Sequence, residues 1–307
     1  MSRAREAMGV APPEREGAPH LFNAVPSSQE VDGGSARSRA VPLRARPAAL
    51  WADFAPPVGL VAAVVLAWEL AVAVARWPGY LVPRPTAVGE RLLRDPGFFL
   101  AEGSVTLAEA MGGLVVGAGG AFAIGTLMAH WRLLERALLP LAILVKVTPV
   151  VTVAPLLVLW FGFGPVPKVL IAALLTFFPM LIATVSGLRS LDPTAYDVLR
   201  TLRASRAQVF WMLRVPSAVP QLLPAAKVCA TLSLIGTVVA EWVGADRGLG
   251  RAILLANTNL DTSTVFAGVL TLGVMGVALV GLLTLLERRV LFWHESQLSQ
   301  AAERDEA

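Results

Sequence analysis

The sequence predicts an all-α integral membrane protein of about six transmembrane helices, with a cytoplasmic docking loop in its second half. Three observations carry this. The 307 residues are 55% hydrophobic with a mean hydropathy of +0.64, too apolar for the surface of a soluble domain of this length. Six apolar stretches, near 58–76, 105–129, 137–161, 167–187, 217–240 and 265–286, are each long enough to cross a hydrocarbon core of about 30 Å at about 1.5 Å per residue. Finally, residues 192–216 interrupt the oily second half with Arg200, Arg203, Arg206 and Arg214 among strong helix-start signals.

Residues 1–50 are rich in Pro, Gly, Ser, Ala and Arg and have no hydrophobic period, which predicts a disordered cytoplasmic tail. No apolar run follows their basic residues, so they do not read as a secretory signal. Binding to anionic lipid is a second use for such a tail, and composition favours the solvated one. Residues 51–293 are expected to form the transmembrane domain, and 294–307 a cytoplasmic C-terminal tail.

The spans must be helices, because every backbone polar group has to be satisfied inside its own segment in lipid, and the alternation of a β-barrel is absent. Pro149, Pro155 and Pro179 fall inside spans, where they free carbonyls and permit kinks that line a pathway or are compensated by neighbouring helices. The glycines of the second span, including the Gly113–Gly117 step, suit close helix packing, within the chain or between two copies.

Arginines cluster at alternate span ends. Arg132 and Arg136, the loop arginines with Arg189, and Arg288 and Arg289 fall on one side together with the basic N-terminal tail. The opposite side holds the sparser Arg76, Arg84, Arg91, Arg94, Arg247 and Arg251 with Lys168. This asymmetry predicts cytoplasmic termini and a cytoplasmic loop. It also accounts for a pI near 9.8 without nucleic acid.

Within the loop, Asp192 reads as the cap of a helix opening at Pro193, where a missing N–H costs nothing. Ala195, Val198, Leu199 and Leu202 give it one apolar stripe. Ser205 and Gln208 form a capping box for a second short helix, expected to end at Pro216. The loop, about 188–216, is therefore a docking element.

Lys146 and Lys227 are cations inside predicted spans. They read either as cavity residues that attract an anion or as side chains that snorkel to a cytoplasmic end. Glu69 and Glu241 lie near the outer ends of spans one and five. Glu241 reads either as part of an external mouth or as a solvated interfacial carboxylate. No carboxylate is expected in the middle of a span. Cys229 is the single cysteine, and His20, His130 and His294 lack metal-ligand spacing, so no metal, cofactor or catalytic residue is expected. The run 244–251, GADRGLGR, lacks the ending of a phosphate loop.

Four stretches carry a family resemblance. Trp68-Glu69-Leu70 with residues 81–85 (LVPRP), the run 156–164 (LLVLWFGFG) after Pro149 and Pro155, and Ala240-Glu241-Trp242 with residues 244–250 occur in order on or just after the first, third and fifth spans. The loop itself places Asp197, Val198 and Leu199 at the Glu-Ala-Ala positions of an importer "EAA" loop, with Arg203 at its Gly position and Val215-Pro216 at its end. Residues 60–293 thus resemble the permease subunits of ABC importers, in the sulfonate, nitrate and taurine branch.

The resemblance implies a type I permease of the bacterial inner membrane, multi-pass and without ATPase activity of its own. It implies two ATPase subunits, a second permease copy and an extracytoplasmic solute-binding protein as partners. The ATPase contact would fall on Asp197, Leu202, Arg203, Ala204, Ser205 and Gln208, and the pathway on Lys146, Pro149, Pro155, Lys227 and Glu241. The solute would be a sulfonate-, nitrate- or taurine-like anion or a vitamin precursor. A secondary transporter would instead show interrupted inverted repeats and midplane carboxylates. A non-transporting membrane subunit would have no need of a capped loop.

Overall fold

The computed structural model describes residues 47–291, and residues from 55 onward cluster as one unit. The tails expected at 1–50 and 294–307 lie outside the described residues, except that 47–50 are helical. The chain runs α1 (Pro47–Ala75), α2 (Pro85–Arg94), α3 (Pro96–His130), α4 (Arg132–Val147), α5 (Val150–Phe161) and α6 (Pro165–Arg189). It continues through α7 (Pro193–Thr201), α8 (Arg206–Val209), a π-helical turn (Phe210–Arg214), α9 (Val215–Gly244), α10 (Leu249–Thr258) and α11 (Thr262–Val290). Five helices are long and apolar enough to cross a membrane, or six if α4 and α5 count as one broken span.

The core is α3 against α6 and α6 against α9. Small residues let these backbones approach. A Cβ on Gly117 would lie 2.1 Å from Thr176 Oγ1 and 2.4 Å from the Ala173 carbonyl, so only glycine fits that crossing. Gly112, Gly113, Gly117 and Gly125 of the second span thus pack inside this chain, while Gly119 and Gly120 face open space. Ala110, Leu114, Ala121, Met180, Leu181 and Ala230 fill the space between the three helices. By contrast α1 and α11 are only 6% buried over their apolar windows and present Leu, Val and Phe outward. Lipid is the solvent that such faces suit.

The sequence expectations are amended at four places. The third span is not one helix: α4 and α5 meet at 95°, and Pro149 stands outside both, at the N-cap of α5. Two short helices, α2 and α10, lie between the apolar stretches. Pro216 does not end the second loop helix. The π turn widens the backbone so that Val215 N–H bonds the Phe210 carbonyl, and helix runs unbroken from Arg206 to Gly244. Finally, Glu109 lies inside α3 with its side chain 8% exposed, ion-paired to Lys168 of α6.

Candidate functional site

Two regions draw functional side chains together, and they occupy different depths. The end of the bundle that carries Arg189 is termed the loop end, and the end that carries Pro165 the far end.

At the loop end, Arg189 closes α6 with a bidentate pair to Glu135 of α4 (2.8 and 2.7 Å) and a bond to the Met128 carbonyl of α3 (3.1 Å). Three helix ends are thereby clamped where the loop departs. Asp192 then accepts from Thr194 N–H at 2.9 Å and starts α7, and the Ser205–Gln208 box is present in both directions (3.3 and 2.8 Å). Between them α7 ends in a Schellman turn. Ala204 N–H reaches the Leu199 carbonyl (3.0 Å), Arg203 N–H reaches the Arg200 carbonyl (3.0 Å), and Arg203 sits at φ 54°. The turn therefore keeps the left-handed geometry that suits glycine, and arginine carries a strain of about 1–2 kcal/mol.

Asp197, Leu202, Arg203, Ser205 and Gln208 are exposed, and Ala204 is half-buried. The apolar stripe divides. Ala195 and Leu199 turn inward to a half-buried position, while Val198 and Leu202 face solvent, Leu202 at 72% exposure. Val198 and Leu202 join Pro193, Thr194, Asp197 and Thr201 around a shallow groove. Trp211 and Met212 add further exposed apolar surface after α8. Phe210 meanwhile packs on His130 at the end of α3 (5.8 Å between ring centres), which fixes the loop's return to the bundle.

The second region is the elbow between α4 and α5. It opens a cleft of about 380 Å³ against α6 and α9, lined mostly by apolar side chains. Lys146 reaches into it, with its ammonium 4.6 Å from the centre of the Phe178 ring. Phe178 lies 13 residues from the start of α6 and 11 from its end, about 20 and 17 Å at the helical rise. Lys146 therefore stands level with the middle of α6, exposed in the last turn of α4 at the break. Pro149 is at the elbow itself, while Pro155 is exposed on α5.

The other pathway candidates are engaged elsewhere. Lys227 pairs with Glu287, close to the end of α11, and ties α9 to α11. Glu241 is 1% exposed, not a solvated interfacial group. Its carboxylate accepts from Gly250 N–H and from Thr106 Oγ1 (2.7 Å), whose oxygen in turn accepts from Leu249 N–H (2.8 Å). Glu102 takes Gly248 N–H at 2.6 Å. Together they satisfy the first N–H groups of α10. Gly248, at φ 122°, leaves room for this arrangement, since a Cβ there would lie 2.1 Å from Glu241 Oε1. Glu69 does the same for α2, accepting from Thr86 N–H and Oγ1 at 3.2 Å each. The motifs around Glu69 and Glu241 are thus helix-capping devices. Their signal in sequence was a carboxylate on a span with a Pro- or Gly-led short helix just beyond.

Sequence reasoning also missed the Glu109–Lys168 pair and the Arg189–Glu135 clamp. Each joins helices 54 or more residues apart, and neither has a local pattern.

Residues 121–292 match the family described as binding-protein-dependent transport system inner membrane component. The chain is 35% identical over 248 residues to a riboflavin transport system permease protein of Chloroflexus aurantiacus, covering 80% of this chain and 92% of that one. It is 29% identical over 271 residues to a putative aliphatic sulfonates transport permease protein of Bacillus subtilis, covering 87% and 98%. Among solved structures, a crystal structure titled as an amino acid ABC transporter with histidines superposes with a TM-score of 0.53 at 18% identity, covering 65% of this chain and 97% of that one. That last likeness concerns the fold alone.

Proposed function

We propose that this chain, which belongs to the family of binding-protein-dependent transport system inner membrane components, carries a small organic solute by alternating access while its loop rides on a separate ATP-hydrolysing subunit. Membership makes it a multi-pass inner-membrane permease subunit of an ABC importer, working with an ATPase and a solute-binding protein. The finer reading is ours: two permease copies, two ATPases, and hydrolysis on those chains only. It puts the permease domain at 51–293, both tails and the loop on the cytoplasmic side, and the binding protein at the far end. The arginine distribution supports that orientation.

The observation that carries the coupling role is the loop's construction. It is a pair of short helices capped by their own neighbours in sequence, exposed on the groove side, and rooted at the Arg189–Glu135 clamp. Such an element can seat in a groove on a partner and move as a unit. ATP binding would draw two such loops together, and the clamp would transmit the motion to α3, α4 and α6. Asp197, Leu202, Arg203, Ala204, Ser205 and Gln208 form the contact, with Arg203 facing a carboxylate on the partner.

Of the pathway candidates, Lys146 and Pro149 keep that role. Lys227 and Glu241, already paired or capping, hold helices together. The solute is a sulfonate-, nitrate- or taurine-like anion or a vitamin precursor. Relatives named for riboflavin and for aliphatic sulfonates support this range.

The test is purification of the tagged chain in mild detergent from its own cells, with mass analysis of what accompanies it. An ATPase subunit should be recovered, and should be lost when residues 197–208 are scrambled. A chain that purifies alone and transports in ATP-free vesicles under an ion gradient would overturn the reading.

A further inference from the structure

We infer that the elbow between α4 and α5 is a solute site at mid-depth, and that it takes an organic monoanion with a flat or apolar body. The inference rests on the importer reading for its role in transport, while the site itself stands on the geometry.

The cleft offers one cation and otherwise almost no polarity. Its walls include Val145, Val153, Leu174, Phe178 and Leu232, and the ammonium of Lys146 lies over the Phe178 ring. Among the described residues no carboxylate pairs with Lys146, whereas Lys168, Lys227 and Arg189 each have one. A lone ammonium at the middle of a membrane protein is costly unless a water-filled cavity or a counter-charge meets it. The broken span supplies the cavity. Irregular backbone at this depth is tolerated where it lines one.

The chemistry of the occupant follows from the same residues. One positive charge is neutralised by one negative charge, so a dianion would bring an uncompensated charge into an apolar cleft. A neutral solute would leave the ammonium unanswered. The aromatic and aliphatic walls favour a solute with apolar area to bury, over a bare inorganic ion. Lipid headgroups do not reach this level, since Phe178 is about 17 Å from the nearer end of α6 at the helical rise.

The full complex, in nanodiscs of uncharged phosphatidylcholine, is titrated calorimetrically with benzenesulfonate, with neutral benzenesulfonamide and with sulfate. We expect saturable benzenesulfonate binding, at least tenfold tighter than either comparison probe. Lys146→Met should weaken it at least tenfold, Lys146→Arg by no more than about threefold, and exposed Arg94→Gln not at all. Phe178→Leu, which keeps the cation, should weaken benzenesulfonate severalfold. Equal binding of the sulfonamide, or unchanged binding in Lys146→Met, would overturn the site. Failure to recover any ATPase with the wild-type chain would instead remove the importer reading, and would show before the titration begins.

Discussion

The short helices at the two ends of the bundle face one problem, the unpaired N–H groups at helix starts, and solve it in opposite ways. At the far end the spans α3 and α11 are capped locally by Asp95 and Asp261, but the short helices draw on distant spans: Glu69 of α1 serves α2, while Glu241 of α9, with Glu102 and Thr106 of α3, serves α10. At the loop end the acceptors are local, Asp192 for α7 and Ser205 with Gln208 for α8. Remote caps weld short helices to the spans, so the far end forms with the fold. Local caps let α7 and the exposed start of the long helix that becomes α9 form from their own residues, so a change there can leave the packed part of the bundle intact. Substitutions at the far end should therefore act on folding, and those in the loop on partner binding.

The largest effect is expected from Lys168→Met. Glu109 would be left buried with its partner gone, and removing one member of such a pair costs about 3–5 kcal/mol. The extracted chain should lose most of its folded yield. The double change Glu109→Leu, Lys168→Met should restore much of the lost thermal stability, measured by fluorescence-detected size exclusion. A double variant no better than the single would show that the pair does more than neutralise itself. Next comes Glu241→Ala, which strips acceptors from Gly250 N–H and the Thr106 hydroxyl, at about 1–3 kcal/mol for each buried group left unmet. It should lower the midpoint of thermal unfolding in the same assay. An unchanged midpoint would break the proposed difference between the two ends.

That difference also explains what was legible in the sequence. Asp192-Pro193 and Ser205 with Gln208 announced their caps because donor and acceptor lie two or three residues apart. The spans were legible from their apolar length. Glu241 could be seen as a carboxylate near a span end, but its partner Thr106 lies 135 residues away, so the sequence leaves it as a mouth residue or a solvated group. The elbow was half visible. Pro149 marked a break, yet proline permits a range of kinks, and the 95° turn is set by how α4 and α5 pack on α6. Pro216 misled for a related reason: it stops a regular helix locally, and a π turn next to it absorbs the missing bond.

In the loop the expected effects are smaller and of another kind. Ser205→Ala removes the cap on α8, worth about 1 kcal/mol. The unfolding midpoint of the bundle should hold, while ATPase recovery in pull-downs should fall by roughly fivefold, the factor that such an energy gives. A fall in bundle stability to match would mean that the packed part of the bundle depends on this cap.

The smallest and sharpest comparison uses two residues under the same strain. Arg203 and Leu260 both sit in left-handed Schellman turns, at φ 54° and 57°, one at each end of the molecule. Glycine would relieve about 1 kcal/mol at either, less part of what its freedom costs in the unfolded chain. Leu260→Gly closes α10 at the welded end, so it should raise the unfolding midpoint slightly. Arg203→Gly should leave that midpoint alone and slow amide exchange at Ala204, whose N–H bonds the Leu199 carbonyl across the turn. If the guanidinium also meets a carboxylate on the ATPase, the same change will weaken subunit recovery while it steadies the loop. Arg203→Glu, which keeps the strain and reverses the charge, should weaken recovery further. If both variants recover the ATPase as the wild type does, arginine at this turn contributes strain and no contact.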